Sequence, residues 1–162
     1  MKQYLALAIL FSVLTSCDSN RVFESNTRVK DGSWNINDVP VFEVEITDIE
    51  SETKALVNVR HTSYYQFANL WVFIKTIDPD GVEKVDTLEC LFAEADGRWI
   101  GSGLGDLFDT QTYWKNITFE KAGTYRFEIE QGMRIGKDSK IQSLPGIEDV
   151  GLRIEKLEQD EI

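Results

Sequence analysis

Apolar and polar side chains alternate in a series of short segments along this 162-residue chain. The clearest example follows Pro40, where Phe42, Val44 and Ile46 alternate with charged or polar neighbours. A period of two buries one face of a strand and leaves the other face in solvent. After the first sixteen residues, no segment keeps the 3.6-residue period of an amphipathic helix. The chain is therefore predicted to be all-β.

Roughly seven such segments follow one another at the short spacing that is typical of antiparallel β-sandwiches. They cover residues 39–49, 55–60, 70–77, 85–92, 113–119, 124–130 and 150–157. The turn at residues 78–81 predicts a hairpin that brings Trp71 and Phe73 close to Leu88, Cys90 and Phe92. Residues 131–149 are predicted to form a long loop. We expect a jelly-roll or an immunoglobulin-like sandwich.

The N-terminus has the composition of an export signal. Lys2 precedes an apolar run of about ten residues, which is shorter than the ~20 residues of a membrane-spanning helix. The run ends in Leu14-Thr15-Ser16-Cys17, which resembles a bacterial lipobox. Residues 1–16 are therefore predicted to be a lipoprotein signal peptide, and Cys17 is predicted to become the acylated first residue of the mature chain.

The polar stretch that follows divides the remaining chain into two parts. Residues 17–38 are predicted to be a lipid-anchored tether, and residues 39–162 are predicted to be the sandwich domain. Phe23 and Trp34 indicate that part of the tether is ordered against the domain. Fully extended, such a tether would span about 70 Å.

Charge and cysteine content limit the possible partners. The formal net charge is −11, so the basic surface that nucleic acids require is missing and no nucleic-acid partner is expected. For the same reason membrane attachment must come from acyl chains on Cys17 and not from basic side chains. Cys90 is the only other cysteine, so no disulfide framework is expected.

The residue types of known enzyme sites are scarce. His61 is the only histidine, and residues 101–106 lack the spacing of a nucleophile elbow or a dinucleotide-binding loop. No catalytic residue, cofactor or metal site is expected, although Asp78 and Asp80, or Asp96, Asp106 and Asp109, leave calcium open. A hydrolase that uses His61 is a third and weaker hypothesis.

Aromatic residues near predicted loops offer a different kind of site. Tyr64, Tyr65 and Trp99 could form a platform on which sugar rings stack. A surface lipoprotein that binds glycans through these loop aromatics is therefore an alternative function.

Several segments together resemble the GldH family of gliding-motility lipoproteins. They are CDSNRVF at 17–23, NLWVFI at 69–74, DTLE at 86–89 and DGRWIGSGLGD at 96–106. The resemblance implies a non-enzymatic lipoprotein of the cell envelope, placed in the outer membrane and required for gliding and its secretion machinery. It also implies partners among the other envelope proteins of that machinery. Only the acylated cysteine carries over as a site residue, onto Cys17.

Overall fold

The alternating segments form antiparallel strands in the structure, a computed structural model that describes residues 18–136 and 139–157. Within these residues the strands are β1 (Arg21–Arg28), β2 (Ser33–Asn35), β3 (Val41–Ile46), β4 (Thr53–Thr62), β5 (Asn69–Ile77), β6 (Glu83–Leu91), β7 (Ser102–Leu104), β8 (Leu107–Ile117), β9 (Gly123–Gln131), β10 (Arg134–Ile135), β11 (Ser139–Lys140), β12 (Ser143–Pro145) and β13 (Ile147–Lys156). A single 3-10 turn, Lys30–Gly32, lies between β1 and β2. The predicted all-β fold is confirmed.

Two larger sheets face each other. The five-stranded sheet has the order β1-β13-β4-β8-β7, and the four-stranded sheet has the order β3-β9-β5-β6. Two small sheets, β10-β11 and β12-β2, lie beside them. Aromatic pairs join the two large sheets: Phe23 contacts Phe42 with ring centroids 6.4 Å apart, and Trp114 contacts Phe127 at 6.3 Å. This is the arrangement of a β-sandwich.

The core is formed by the side chains that alternate inward on both sheets. On β3 the predicted residues Phe42, Val44 and Ile46 are buried, whereas their neighbours face solvent. The inward residues of the other central strands include Ala55, Val57, Val59, Tyr125, Phe127, Ile129, Val150, Leu152 and Ile154. Burial of apolar area at about 25 cal/mol per Å² stabilises this arrangement.

The β5-β6 hairpin forms as predicted, but its faces differ from the prediction. Leu70 lies opposite Cys90, and both are buried, whereas Trp71 lies opposite Glu89 on the outer face. Trp71 is 40% exposed. Because β5 is apolar on both faces, its sequence alone did not reveal which face points inward.

The folded part of the chain begins earlier than residue 39, where the domain was predicted to start. Strand β1 pairs with β13 from Phe23 to Arg28 and forms one edge of the five-stranded sheet. Trp34, on β2, is only 1% exposed and donates from Nε1 to the carbonyl of Asp38 at 2.7 Å. An edge strand with one inward aromatic side chain has the composition of a linker, which explains the late boundary.

The prediction of a long loop at residues 131–149 is in part wrong, because this segment contains three short strands. The buried Gln131 organises this segment, donating to the carbonyl of Ile141 at 2.6 Å and accepting from the amide of Met133 at 3.0 Å. Leu144 on β12 lies opposite Trp34 on β2. The segment therefore closes one end of the sandwich.

Candidate functional site

The predicted lipidation residue, Cys17, lies outside the described residues, but the segment directly after it is well defined. Arg153 on β13 donates from Nη2 to Oδ2 of Asp18 at 2.5 Å. The same guanidinium donates to Glu24 at 2.8 Å and to Glu155 at 2.5 Å. One arginine thus ties the first described residue to the two strands at the edge of the sheet.

The charges of this cluster reinforce one another. Burial alone would lower the pKa of Arg153, but hydrogen bonds to Asp18 and Glu155 outweigh it and raise the pKa above its ordinary value. The hydrogen bond from Arg153 in turn lowers the pKa of the Asp18 carboxyl. Both groups are therefore charged at neutral pH.

Backbone contacts hold the same end of the sheet. The amide of Lys156 donates to the carbonyl of Asn20 at 2.7 Å, and the amide of Leu157 donates to the carbonyl of Glu52 at 2.9 Å. The Lys156 ammonium also binds Asp48 at 2.6 Å. Only residues 18–20 separate position 17 from β1, so the linker is much shorter than the predicted tether of residues 17–38.

His61 is a core residue. Its ring stacks on Phe92 with centroids 4.4 Å apart and on Phe108 at 5.6 Å. Nδ1 lies 3.1 Å from the carbonyl of Thr62, and Nε2 is buried without a hydrogen-bond partner. Desolvation lowers the pKa of His61.

This environment predicts a pH-dependent stability. Because the folded pKa of His61 lies below the unfolded value near 6.5, the unfolded chain binds the extra proton, and stability is lost as the pH falls from about 7. We expect this one group to account for at most about 2 kcal/mol of the loss between about pH 7 and pH 5. The variant His61→Phe keeps an aromatic ring at this position but cannot take up a proton. The Thr62 carbonyl, which lies against Nδ1 of His61, still accepts from the amide of Tyr65 at 3.1 Å.

The measurement is urea unfolding of both proteins at the two pH values. The change in the free energy of unfolding between the two pH values should be smaller in the variant. Equal differences would show that His61 is protonated inside the fold.

The three aromatic residues proposed as a sugar platform are not brought together on the surface. Tyr64 is 76% exposed, whereas Tyr65 is only 3% exposed and donates to the carbonyl of Asn69 at 2.9 Å. Trp99 is half-buried, with its ring 4.9 Å from that of His61. Tyr65 is thus part of the core because its ring packs edge-on against Phe92, which corrects its assignment to a binding surface.

The acidic residues considered for calcium have local partners. Asp78 accepts from the amides of Asp80 and Val82 at 2.9 and 2.8 Å, a pattern that closes its own turn. Asp109 binds Arg60 at 2.7 Å. Within residues 18–136 and 139–157, no three His, Cys, Asp or Glu side chains are grouped so as to hold a metal ion.

Cys90 is fully buried on β6. Burial raises the pKa of its thiol to about 11. The reactive thiolate is therefore scarce at neutral pH, and the residue has the properties of a core side chain.

A polar groove that was not predicted from the sequence lies on the outer face of the five-stranded sheet. Arg60 lies in it between Asp109 and Asp149, at 2.7 and 3.4 Å. Hydrogen bonding to Asp109 raises the pKa of Arg60. Its residues come from five strands, β1, β4, β7, β8 and β13, so only the alternation of polar residues along each strand indicated it.

Fold and site together define an acidic all-β protein, built as a sandwich whose first strand starts a few residues after a predicted lipid anchor. The profile of the GldH lipoprotein family matches residues 21–154. The chain belongs to this family.

Two relatives match nearly the whole chain. One is the gliding motility lipoprotein GldH homolog of Christiangramia forsetii, 35% identical over 150 residues, which are 91% of this chain and 90% of the relative. The other is the gliding motility lipoprotein GldH of Flavobacterium johnsoniae, 36% identical over 146 residues, which are 89% of this chain and 90% of the relative.

Solved structures give only a distant likeness. The structure of the infectious bursal disease virus Gx strain aligns over 86% of this chain and 32% of the viral chain, with 12% identity and a TM-score of 0.35. The VP2 subviral particle of that virus covers 83% and 30%, with 16% identity and the same TM-score. Neither supports an argument about this chain.

In the part of the chain that the structure describes, no helix is long and apolar enough to cross a membrane.

Proposed function

We propose that this chain is a non-enzymatic structural or assembly component of the machinery for gliding motility and its associated secretion. It is anchored in the outer membrane by acyl chains on Cys17 and works with other envelope proteins of that machinery. The observation that carries the proposal is the near full-length relationship to two proteins named gliding motility lipoprotein.

The geometry after position 17 supports an anchor held close to the domain. Residues 18–20 extend about 10 Å at most, and Asp18 is already bound to Arg153. Arg21, Glu155 and Lys54 lie side by side in the sheet register. The ends of β1, β13 and β4 therefore face the membrane directly, and the domain does not hang from a long tether.

The packing of His61 supports a non-enzymatic role. An imidazole that serves as a general base needs a hydrogen-bond partner whose proton it can take. His61 instead lies between Phe92 and Phe108, and Tyr65 packs beside it. This arrangement stabilises the core and leaves the imidazole with no exposure to solvent.

Gene deletion with complementation tests the proposal. We expect the deletion strain to lose gliding, and the wild-type gene to restore it. The Cys17→Ala gene should fail to restore gliding, and its product should take up no palmitate label and migrate as the longer precursor, because the acylated sulfur is absent. Normal gliding of the deletion strain would contradict the function, and labelling of Cys17→Ala would contradict the anchor.

Cys90→Ala is the matched control, since it removes the other cysteine of the chain. Cys90 is buried, so acylation of this variant should be unchanged. Density separation of the membranes tests the location: recovery of the labelled protein with the inner membrane would contradict the outer-membrane assignment.

A further inference from the structure

Three amide side chains form a row across the outer face of the five-stranded sheet. In the register, Asn26 lies opposite Gly151, Gly151 opposite Asn58, and Asn58 opposite Gln111. We call these three side chains, Asn26, Asn58 and Gln111, the amide row. Gln111 donates to Asn58 at 2.9 Å, and Asn58 donates to Glu24 at 3.2 Å, so both amides are held in fixed orientations.

Gly151 makes room for Asn26 in the row. A Cβ atom at this position would lie 1.8 Å from Oδ1 of Asn26, so the Asn26 side chain fills the space above the glycine. The groove beside it is lined by Asn26, Asn58 and Gln111 together with Arg60 and Asp109. Its volume is about 450 Å³, which lies within the range of small-molecule sites.

The charged side chains beside the row are held in ion pairs, in which carboxylates outnumber the guanidinium groups. Arg60 binds Asp109 and Asp149, and Glu24 accepts from Arg153 at 2.8 Å. An anionic ligand would meet three carboxylates, and a cation would have to compete with the guanidinium groups for them. The groove therefore favours a neutral, strongly hydrogen-bonding ligand.

We propose that this groove binds a neutral saccharide. Each hydroxyl group of a sugar both donates and accepts hydrogen bonds, and an amide side chain offers both functions at one position. Asp109, fixed by Arg60, adds an acceptor that is held in one orientation. This arrangement matches the chemistry of a polyhydroxylated ligand better than that of an ion.

Tyr113 offers an exposed apolar surface on β8, beyond the residues that line the groove. It is 55% exposed and lies on the same face of β8 as Gln111, about 7 Å further along the strand. Its hydroxyl donates to Asn116 at 3.0 Å, which fixes the ring. From Asp109 to Tyr113 the strand spans about 14 Å, enough for a short oligosaccharide.

The site differs from the loop aromatics considered in the sequence analysis, and it does not depend on the motility function. The test is affinity electrophoresis of the full chain, purified in a detergent without a sugar headgroup. The gels contain laminarin, dextran, mannan or galactomannan, all neutral and soluble. We expect slower migration in at least one gel, and unchanged migration in a gel without polysaccharide.

The double variant Asn58→Ala with Gln111→Ala should weaken this retention at least about tenfold, because two amide contacts are lost. The matched control is Asn37→Ala with Gln66→Ala, which makes the same two chemical changes at exposed positions away from the groove. Thermal unfolding shows whether each variant is folded. The control should be retained like the original chain.

Three outcomes would overturn the proposal. The first is no retention of the folded chain in any of the four gels. The second is equal retention of the double variant and the original chain. The third is loss of retention in about 1 M NaCl, where the Debye length is ~3 Å and charge contacts are screened. Each leaves the gliding assay unaffected, so failure here is distinct from failure of the proposed function.

Discussion

Trp34→Ala is expected to lower the free energy of unfolding by about 3–5 kcal/mol. The side chain is 1% exposed and packs in the core, and its Nε1 donates to Asp38. Truncation leaves a cavity, removes this hydrogen bond and loosens the pairing of β2 with β12 at Leu144. Since a domain of this size is stable by only about 5–15 kcal/mol, the variant should lose a large part of its stability.

Trp71→Ala is the matched control, because it removes the same side chain from the outer face of the four-stranded sheet. Its expected cost is about 1 kcal/mol or less. Both variants are measured by urea unfolding followed by circular dichroism, which does not rely on the fluorescence of the deleted indole. If Trp34→Ala lowers the free energy of unfolding no more than Trp71→Ala does, the segment from residue 29 to residue 38 is not integral to the folded domain.

Several strands could be predicted because only one of their faces is apolar. β3 and β4 each bury every second side chain, so the period of two is visible in the sequence. β1 lacks this signal, since it sends only Phe23 toward the core. On β5, Trp71 and Phe73 make the outer face apolar as well, so the direction of burial depends on the partner strand.

The candidate sites also differ in how far they could be predicted from the sequence. The four residues that resemble a lipobox, at 14–17, are contiguous in sequence, so the prediction for Cys17 needs no structure. Asn26, Asn58, Gln111 and Gly151 come together only through strand register, which tertiary pairing determines. Tyr64 and Tyr65 are adjacent and chemically alike, and only the fold decides that one is exposed and the other buried.

The short linker has a consequence for how the protein can work. A domain on a flexible tether of twenty residues could reach partners far from the bilayer, whereas residues 18–20 allow about 10 Å. The cluster of Arg153 with Asp18, Glu24 and Glu155 fixes the direction in which the chain leaves the sheet. With the acyl anchor that we propose at Cys17, partners of this protein would meet it close to the membrane surface.

Gly146→Ala is expected to lower the free energy of unfolding by about 2–5 kcal/mol. Gly146 has a φ of +89°, and a Cβ atom there would lie 2.8 Å from the backbone nitrogen of Tyr65. The residue also joins two other segments, since its amide donates to Gly32 and its carbonyl accepts from Thr62, both at 2.8 Å. Neither neighbour can move without disturbing the turn after β4 or the one before β2.

Gly81→Ala separates the two causes of this cost. Gly81 has nearly the same φ, +84°, but no atom lies within 4 Å of the added Cβ. Only the backbone strain of a left-handed conformation remains, about 1–2 kcal/mol. The excess cost at Gly146, measured by urea unfolding of both variants, is then the energy of the steric contact with Tyr65. If the two costs are equal, the backbone between β12 and β13 relaxes away from Tyr65, and the close approach at Gly146 is not required by the fold.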